Sequence, residues 1–100
     1  MSAVITKEEI VEDLDILDPG KYKVVILNDD KTPMEFVIVL LMRIFHHGQS
    51  TAEDITVKIH NEGSAVAGIY TYEVSEQKAI EGTNLARENN FPLVIKVEAE

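Results

Sequence analysis

The strongest constraint on the fold is a change of hydrophobic period between residues 22 and 45, across one short polar turn. Lys21 to Leu27 is rich in β-branched residues, with Tyr22, Val24 and Ile26 on one face and Val25 and Leu27 on the other. That period of two predicts a strand. Asn28-Asp29-Asp30-Lys31 reads as a turn, since Asn and Asp bond to nearby backbone. A helix then starts on a full set of signals, with Thr32 at the N-cap, Pro33 at the first helical position and Glu35 at the third. Together they spell a capping box. Met34 to Phe45 carries Phe36, Val37, Leu40, Leu41, Ile44 and Phe45, a stripe wide enough for a well-buried helix. Gly48 is the expected stop.

A second helix is expected from Ser50 or Thr51, with Glu53 or Asp54 three residues on and Ala52, Ile55, Ile59 and His60 along it, ending at Gly63. Ala65 to Tyr72 reads as a strand and Ser75 to Asn89 as a third helix. Gly82 inside that helix costs ~1 kcal/mol relative to alanine. Asn89-Asn90 suits a left-handed cap, with Pro92 just beyond it. Leu93, Ile95 and Val97 then alternate with Val94, Lys96 and Glu98 in a last strand. The order is β-α-α-β-α-β, with too few strands for a doubly wound sheet. The expected class is α+β: a small α/β sandwich, a three-stranded antiparallel sheet with three helices on one face.

Residues 21–100 form this core domain, and residues 1–20 differ from it. Glu8, Glu9, Glu12, Asp13, Asp15 and Asp18 stand against one base, Lys7. Ile10, Leu14 and Leu17 have roughly helical spacing before Pro19-Gly20. The segment reads as a mobile acidic N-terminal extension, with or without a nascent helix. Composition alone favours an inert solvating tail.

Charge and composition narrow the function classes. The net charge is -9, from 18 acids and 9 bases, which repels phosphate backbones and argues against a nucleic-acid partner. It favours cationic ligands, and a protonated α-amino group is one. No apolar run nears the ~20 residues of a membrane span, and the first residues lack the pattern of a secretory signal. With no cysteine, a disulfide framework and a thiolate nucleophile are both excluded. The expectation is a cytoplasmic protein with no membrane partner and no cofactor.

The polar residues each have a bland reading and a sharper one. Asn28-Asp29-Asp30 are turn formers on physics alone, though three polar side chains before a helix start also make a ledge fit for binding. His60 at a helix end is a cap, a half-buried satisfied side chain or a ligand contact. His46 and His47 complement a helix dipole. Asp29, Asp30, Asp54 and the histidines follow no metal-ligand spacing, so no metal is expected. No Gly-x-Ser-x-Gly or phosphate loop is present, so no catalytic residue is assigned and the chain reads as not an enzyme. An Asp29-Asp30 pair working in acid–base chemistry is a weak competitor, because adjacent turn residues rarely aim at one atom.

Several blocks, in order, resemble the ClpS family. They are Val25 to Val37, with Asn28-Asp29-Asp30-Lys31-Thr32-Pro33-Met34-Glu35-Phe36 inside it; Ile59-His60-Asn61-Glu62-Gly63; Tyr72-Glu73-Val74; and Ala86-Arg87-Glu88-Asn89-Asn90-Phe91-Pro92-Leu93. The resemblance runs from about Tyr22 to Val97. It implies an α/β sandwich and an adaptor that delivers N-degron substrates to a ClpA-type AAA+ ATPase with its ClpP peptidase. It further implies that Asn28, Asp29 and His60 hold the substrate's α-amino group. Thr32, Pro33, Met34, Val37, Thr56, Ile59 and Leu93 would wall a pocket for a first side chain of Leu, Phe, Tyr or Trp. By the bland reading Met34, Val37 and Ile59 are core. The resemblance places Glu73 and Lys78 against the ATPase and gives residues 1–20 a role in hand-off. Family members often carry methionine where this chain has Thr56, and the shorter threonine implies a roomier pocket that also admits Ile or Val. The competing readings are a regulator that docks on the ATPase without cargo, a small hydrolase using Asp29 or Asp30 with His60, and a ribosomal-protein-like interaction domain.

Overall fold

The computed structural model describes residues 20–100; the extension expected over residues 1–20 lies outside them but for Gly20. Six elements follow in chain order: β1 (Tyr22–Leu27), α1 (Met34–Arg43), α2 (Gln49–Glu62), β2 (Ser64–Tyr70), α3 (Tyr72–Glu88) and β3 (Val94–Ala99). The three strands make one sheet in the order β2-β1-β3, antiparallel throughout. This is the expected β-α-α-β-α-β sandwich.

The period of two in β1 sets which face is covered. Val24 and Ile26 are fully buried and join Val37, Leu40, Leu41, Phe45, Ala52, Ile59, Ala65, Ala67, Ala86 and Leu93 in one core. Burying a Leu or Ile side chain contributes about 1.5–3 kcal/mol, so this single cluster is the main source of stability. Lys23 and Leu27 of β1 share the opposite face with Val66 of β2 and Lys96 of β3. Ala67 is an extra residue in β2, where the pairing steps from Val24–Gly68 to Val25–Val66. Such a bulge leaves a ladder group without its strand partner. Here the His47 Nε2–H donates to the Ala67 carbonyl at 2.6 Å. His47 therefore ties the loop after α1 to the sheet, where the sequence pattern had it complementing a helix dipole.

The ends of the helices depart from the sequence reading in informative ways. Pro33, not Thr32, is the N-cap of α1, and no side chain caps it. The Thr32 hydroxyl instead donates to Asp29 Oδ2 at 2.8 Å, so the expected capping box does not form. The carboxylate three residues back outcompetes the helix for that hydroxyl. Likewise α2 starts at Gln49 on Gly48 without a side-chain cap. α1 ends at Arg43, earlier than its apolar stripe, because the chain turns through Ile44 to a left-handed His46. The Lys78 Nζ, from α3, donates to the Ile44 carbonyl at 2.8 Å and closes that end. α3 starts at Tyr72, inside the segment expected to be strand, because the Thr71 side chain accepts from the Val74 N–H.

Two helix stops fall where the sequence places them. Gly63 ends α2 in the left-handed region at φ 94°. At the end of α3, Asn90 takes φ 64°, with Phe91 N–H donating to Ala86 O and Asn90 N–H to Arg87 O, the paired bonds of a Schellman cap. Gly82 also has its reason: a Cβ there would come within 2.7 Å of Ile95 Cδ1, so its absence lets α3 lie close on β3.

Candidate functional site

The 28–32 turn is organised by Asp29. Its Oδ1 accepts from the backbone N–H groups of Lys31 and Thr32, each at 2.8 Å, and its Oδ2 from the Thr32 hydroxyl. Burial alone would raise the Asp29 pKa. The Thr32 hydroxyl, the two backbone N–H groups and the charge of Arg87 outweigh it and hold the carboxyl below its ordinary value. A carboxylate has about four acceptor positions, so three bonds leave Oδ2 able to accept one more. Asp29 is thus a turn former and also an anion with capacity left, and the two sequence readings are compatible.

The same turn is pinned to the end of α2. The Asn28 N–H donates to the Gly63 carbonyl at 2.9 Å, continuing the pairing of Leu27 with Ser64. His60 lies one turn before Gly63, in the last turn of α2. Asn28 and His60 are both exposed, and among the described residues neither side chain has a hydrogen-bond partner. Helix dipoles reinforce the polarity of this corner. The negative C-terminal end of α2 favours a cation, while the positive N-terminal end of α1 favours the Asp29 anion. In chemical terms, the corner offers acceptors to a small cation.

The apolar residues named from sequence sit on three converging pieces of chain. Val37 on α1, Ile59 on α2 and Leu93 before β3 belong to one core cluster. Thr56 lies one turn before Ile59. Each keeps 5% exposure or less, whereas Met34 is 41% exposed and Thr32 and Pro33 are half-buried. The Thr56 hydroxyl donates to Ala52 O at 2.8 Å within its own helix, leaving the methyl as its apolar contact group. The loop ahead of Leu93 is held against α1 by an edge-to-face pair of Phe36 and Phe91 rings, 4.9 Å between centroids.

Glu73 is exposed in the first turn of α3. Lys78, farther along the same helix, is half-buried. Besides the Ile44 carbonyl, its ammonium lies 5.4 Å from the centre of the Tyr70 ring and 6.0 Å from that of Phe45. Arg87 belongs to one of the family-like blocks, which assigns it no role. Its Nη1 donates to the carbonyls of Phe91 at 2.8 Å and Leu93 at 2.9 Å. The signal for it was an Arg in the last turn of a helix, ahead of a Pro-containing loop. Among the described residues there is no cluster of three or more potential metal ligands, and no helix long and apolar enough to cross a membrane.

By architecture this is a small α+β domain with a polar corner beside an apolar cluster. Residues 18–96 match the model of the family described as ATP-dependent Clp protease adaptor protein ClpS. The chain belongs to the ClpS family. It is 44% identical over 82 residues to the ATP-dependent Clp protease adapter protein ClpS of Treponema denticola, covering 82% of this chain and 81% of that one. Against the ClpS of Sodalis glossinidius identity is 45% over 91 residues, covering 91% and 85%. Against that of Campylobacter jejuni it is 43% over 94 residues, covering 94% and 98%. The solved structure of Agrobacterium tumefaciens ClpS2 bound to L-phenylalaninamide superposes with a TM-score of 0.80 at 41% identity, covering 82% of this chain and 99% of that one.

Proposed function

We propose that this chain is a cytoplasmic adaptor, and not itself an enzyme. It grips the free α-amino group and bulky first side chain of N-degron substrates and passes them to a ClpA-type AAA+ ATPase with its ClpP peptidase. The observation that carries the reading is the bond from Asn28 N–H to Gly63 O, 2.9 Å long. It seats the Asn28-Asp29 turn against the end of α2 that carries His60. Asp29 accepts from the ammonium with its remaining Oδ2 capacity, Asn28 through its carbonyl oxygen, and His60 through a neutral ring nitrogen. L-Phenylalaninamide, the ligand of the A. tumefaciens relative, carries both groups at issue: a free α-amine and an apolar side chain.

The first side chain enters among Thr32, Pro33, Met34, Val37, Thr56, Ile59 and Leu93. Met34 is the most exposed of the apolar ones, so it is the side chain that moves aside. A bonded charge contributes about 1.5–3 kcal/mol per hydrogen bond and a buried Leu or Phe about the same. Three such bonds and one buried side chain come to about 6–12 kcal/mol, of which association costs leave about 8 kcal/mol at most, so micromolar affinity is the upper limit. Because Thr56 turns its hydroxyl into its own helix, it presents less bulk than a methionine would, and Ile or Val is admitted beside Leu, Phe, Tyr and Trp. Glu73 is the docking residue toward the ATPase, and Lys78 supports the same surface from its seat on Ile44.

Fluorescence anisotropy with labelled peptides beginning Leu, Phe, Ile or Ala, and with an N-acetylated Leu peptide, tests this directly. Micromolar binding of Leu and Phe, lost with Ala and with acetylation, is expected. Ile binding is expected within about tenfold of Leu, which is one lost methyl contact or less. No binding by any of the peptides would leave a regulator that docks on the ATPase without cargo.

A further inference from the structure

Arg87 closes the α3–β3 connection from both sides. Its carbonyl accepts the Asn90 N–H, part of the cap that ends α3. Its Nη1 reaches forward to the carbonyls of Phe91 and Leu93 at 2.8 and 2.9 Å. Nη1 carries two protons, so one guanidinium nitrogen satisfies both acceptors while its planar fork fixes their spacing. Leu93 is almost completely buried, whereas Asn89, Asn90 and Pro92 of the same loop are exposed. The loop thus has few apolar anchors of its own beyond Leu93 and the Phe36–Phe91 pair. Arg87 also lines one open cleft with Lys31, Asn90, Phe91 and Pro92. That places its charge beside the turn that Asp29 organises.

We propose that Arg87 is a positioning residue of the substrate site, its guanidinium fixing the loop that carries Leu93 and its positive charge standing beside the Asp29 turn. One side chain then serves both halves of the site, the apolar wall and the amine acceptor. This rests on the adaptor reading above. The charged and titratable groups around Asp29 are Asp30 and Lys31 in its own turn, Glu35 in the first turn of α1, His60 and Glu62 in the last turn of α2, and Arg87 on α3. Of these, Arg87 is the one whose charge contributes to lowering the Asp29 pKa.

The two roles separate by substitution in the full chain. Lys at position 87 keeps the charge and loses the fork, and Gln loses the charge. The readouts are anisotropy with a Phe-initiated peptide, free and N-acetylated, the NMR titration midpoint of the Asp29 carboxyl carbon without ligand, and the melting temperature. Arg87→Lys is expected to weaken the free-amine peptide roughly three- to tenfold, the loss of about one hydrogen bond, with the Asp29 midpoint unmoved. Arg87→Gln is expected to weaken it at least as much and to move the midpoint upward. An unmoved midpoint in Arg87→Gln, or wild-type affinity in Arg87→Lys, overturns the proposal. So does a loss of binding in both variants that only follows their melting temperatures. If Arg87→Gln does not fold, Arg87→Lys decides by its affinity at unchanged melting temperature. Should the wild-type chain fail to distinguish the free from the acetylated peptide, the adaptor reading itself fails and the role for Arg87 falls with it. Wild-type discrimination with unaffected variants removes the Arg87 role alone.

Discussion

Asp29 builds its turn mainly with one oxygen and keeps capacity on the other, and the two uses separate by substitution. Asn at this position retains an oxygen for the Lys31 and Thr32 N–H groups but has no charge. Asp29→Asn should therefore melt somewhat below the wild type, because its charge-assisted bonds to the turn become neutral ones, and should lose tenfold or more in affinity for free-amine peptides, as a charged hydrogen bond of about 1.5–3 kcal/mol requires. An unchanged affinity in the anisotropy assay would remove Asp29 from the amine site. Thr32 is the complementary test, since its hydroxyl is the first of the groups that lower the Asp29 pKa. A carboxyl whose folded pKa is depressed adds stability above its unfolded value of about 3.9, and that stability is lost as pH falls through the folded value. Thr32→Val removes the donor at nearly constant shape. It should cost about 1 kcal/mol near neutral pH and move the acid limb of peptide binding to higher pH. Chemical denaturation and binding measured between pH 3 and 7 read both effects (~3–7, bracketing the carboxylate range).

At the scale of elements, the telling contact is between α3 and the end of α1. Lys78 supplies a donor to the Ile44 carbonyl and lies over Tyr70 and Phe45. Lys78→Met keeps the aliphatic stem and removes the ammonium. Thermal unfolding should show a loss of about 1.5–3 kcal/mol, the range for hydrogen bonds to charged groups. Each kcal/mol lowers the melting temperature of a domain this size by roughly 4–8 °C. A docking defect at Lys78 with unchanged melting would mean that the ammonium acts on the partner and not on Ile44. This contact also marks where sequence legibility ended. Element types and order were readable because hydrophobic period and Gly63 are local signals. Helix starts were less so, because they depend on competition between neighbours: the Thr32 hydroxyl goes to Asp29, and Thr71 caps a helix where β-branched and aromatic residues suggested strand. Asn28, Asp29 and His60 were nameable as polar residues, but only the sheet register, Leu27 opposite Ser64, brings the turn to the end of α2. Lys78 bonds to a carbonyl, which carries no sequence signature, and for Arg87 the local hint was its place in the last turn of a helix ahead of a Pro-containing loop.

For the whole molecule the relevant quantity is the distribution of charge. Residues 1–20 hold six acids and one base, -5 of the total -9, leaving -4 on the other eighty residues. The six elements of the described residues and every group assigned to the site lie within residues 21–100. At ~0.15 M salt the Debye length is about 8 Å, so acids outside the site add little to the affinity of a single ammonium held there. Deleting residues 1–20 should then leave the dissociation constant of a Leu-initiated peptide within about twofold at physiological salt, well under one charged hydrogen bond. At tenfold lower salt, where screening extends to about 25 Å, the full chain should bind faster than the truncated one, because a larger negative field steers cations. Delivery is expected to behave differently. If residues 1–20 serve hand-off to the ATPase, the truncated chain should hold its peptide and yet fail to promote degradation of a Leu-initiated protein by the ATPase and its peptidase. Unchanged degradation would confine those residues to a solvating role. A fall in peptide affinity at physiological salt would instead mean that part of the binding surface lies before Lys21.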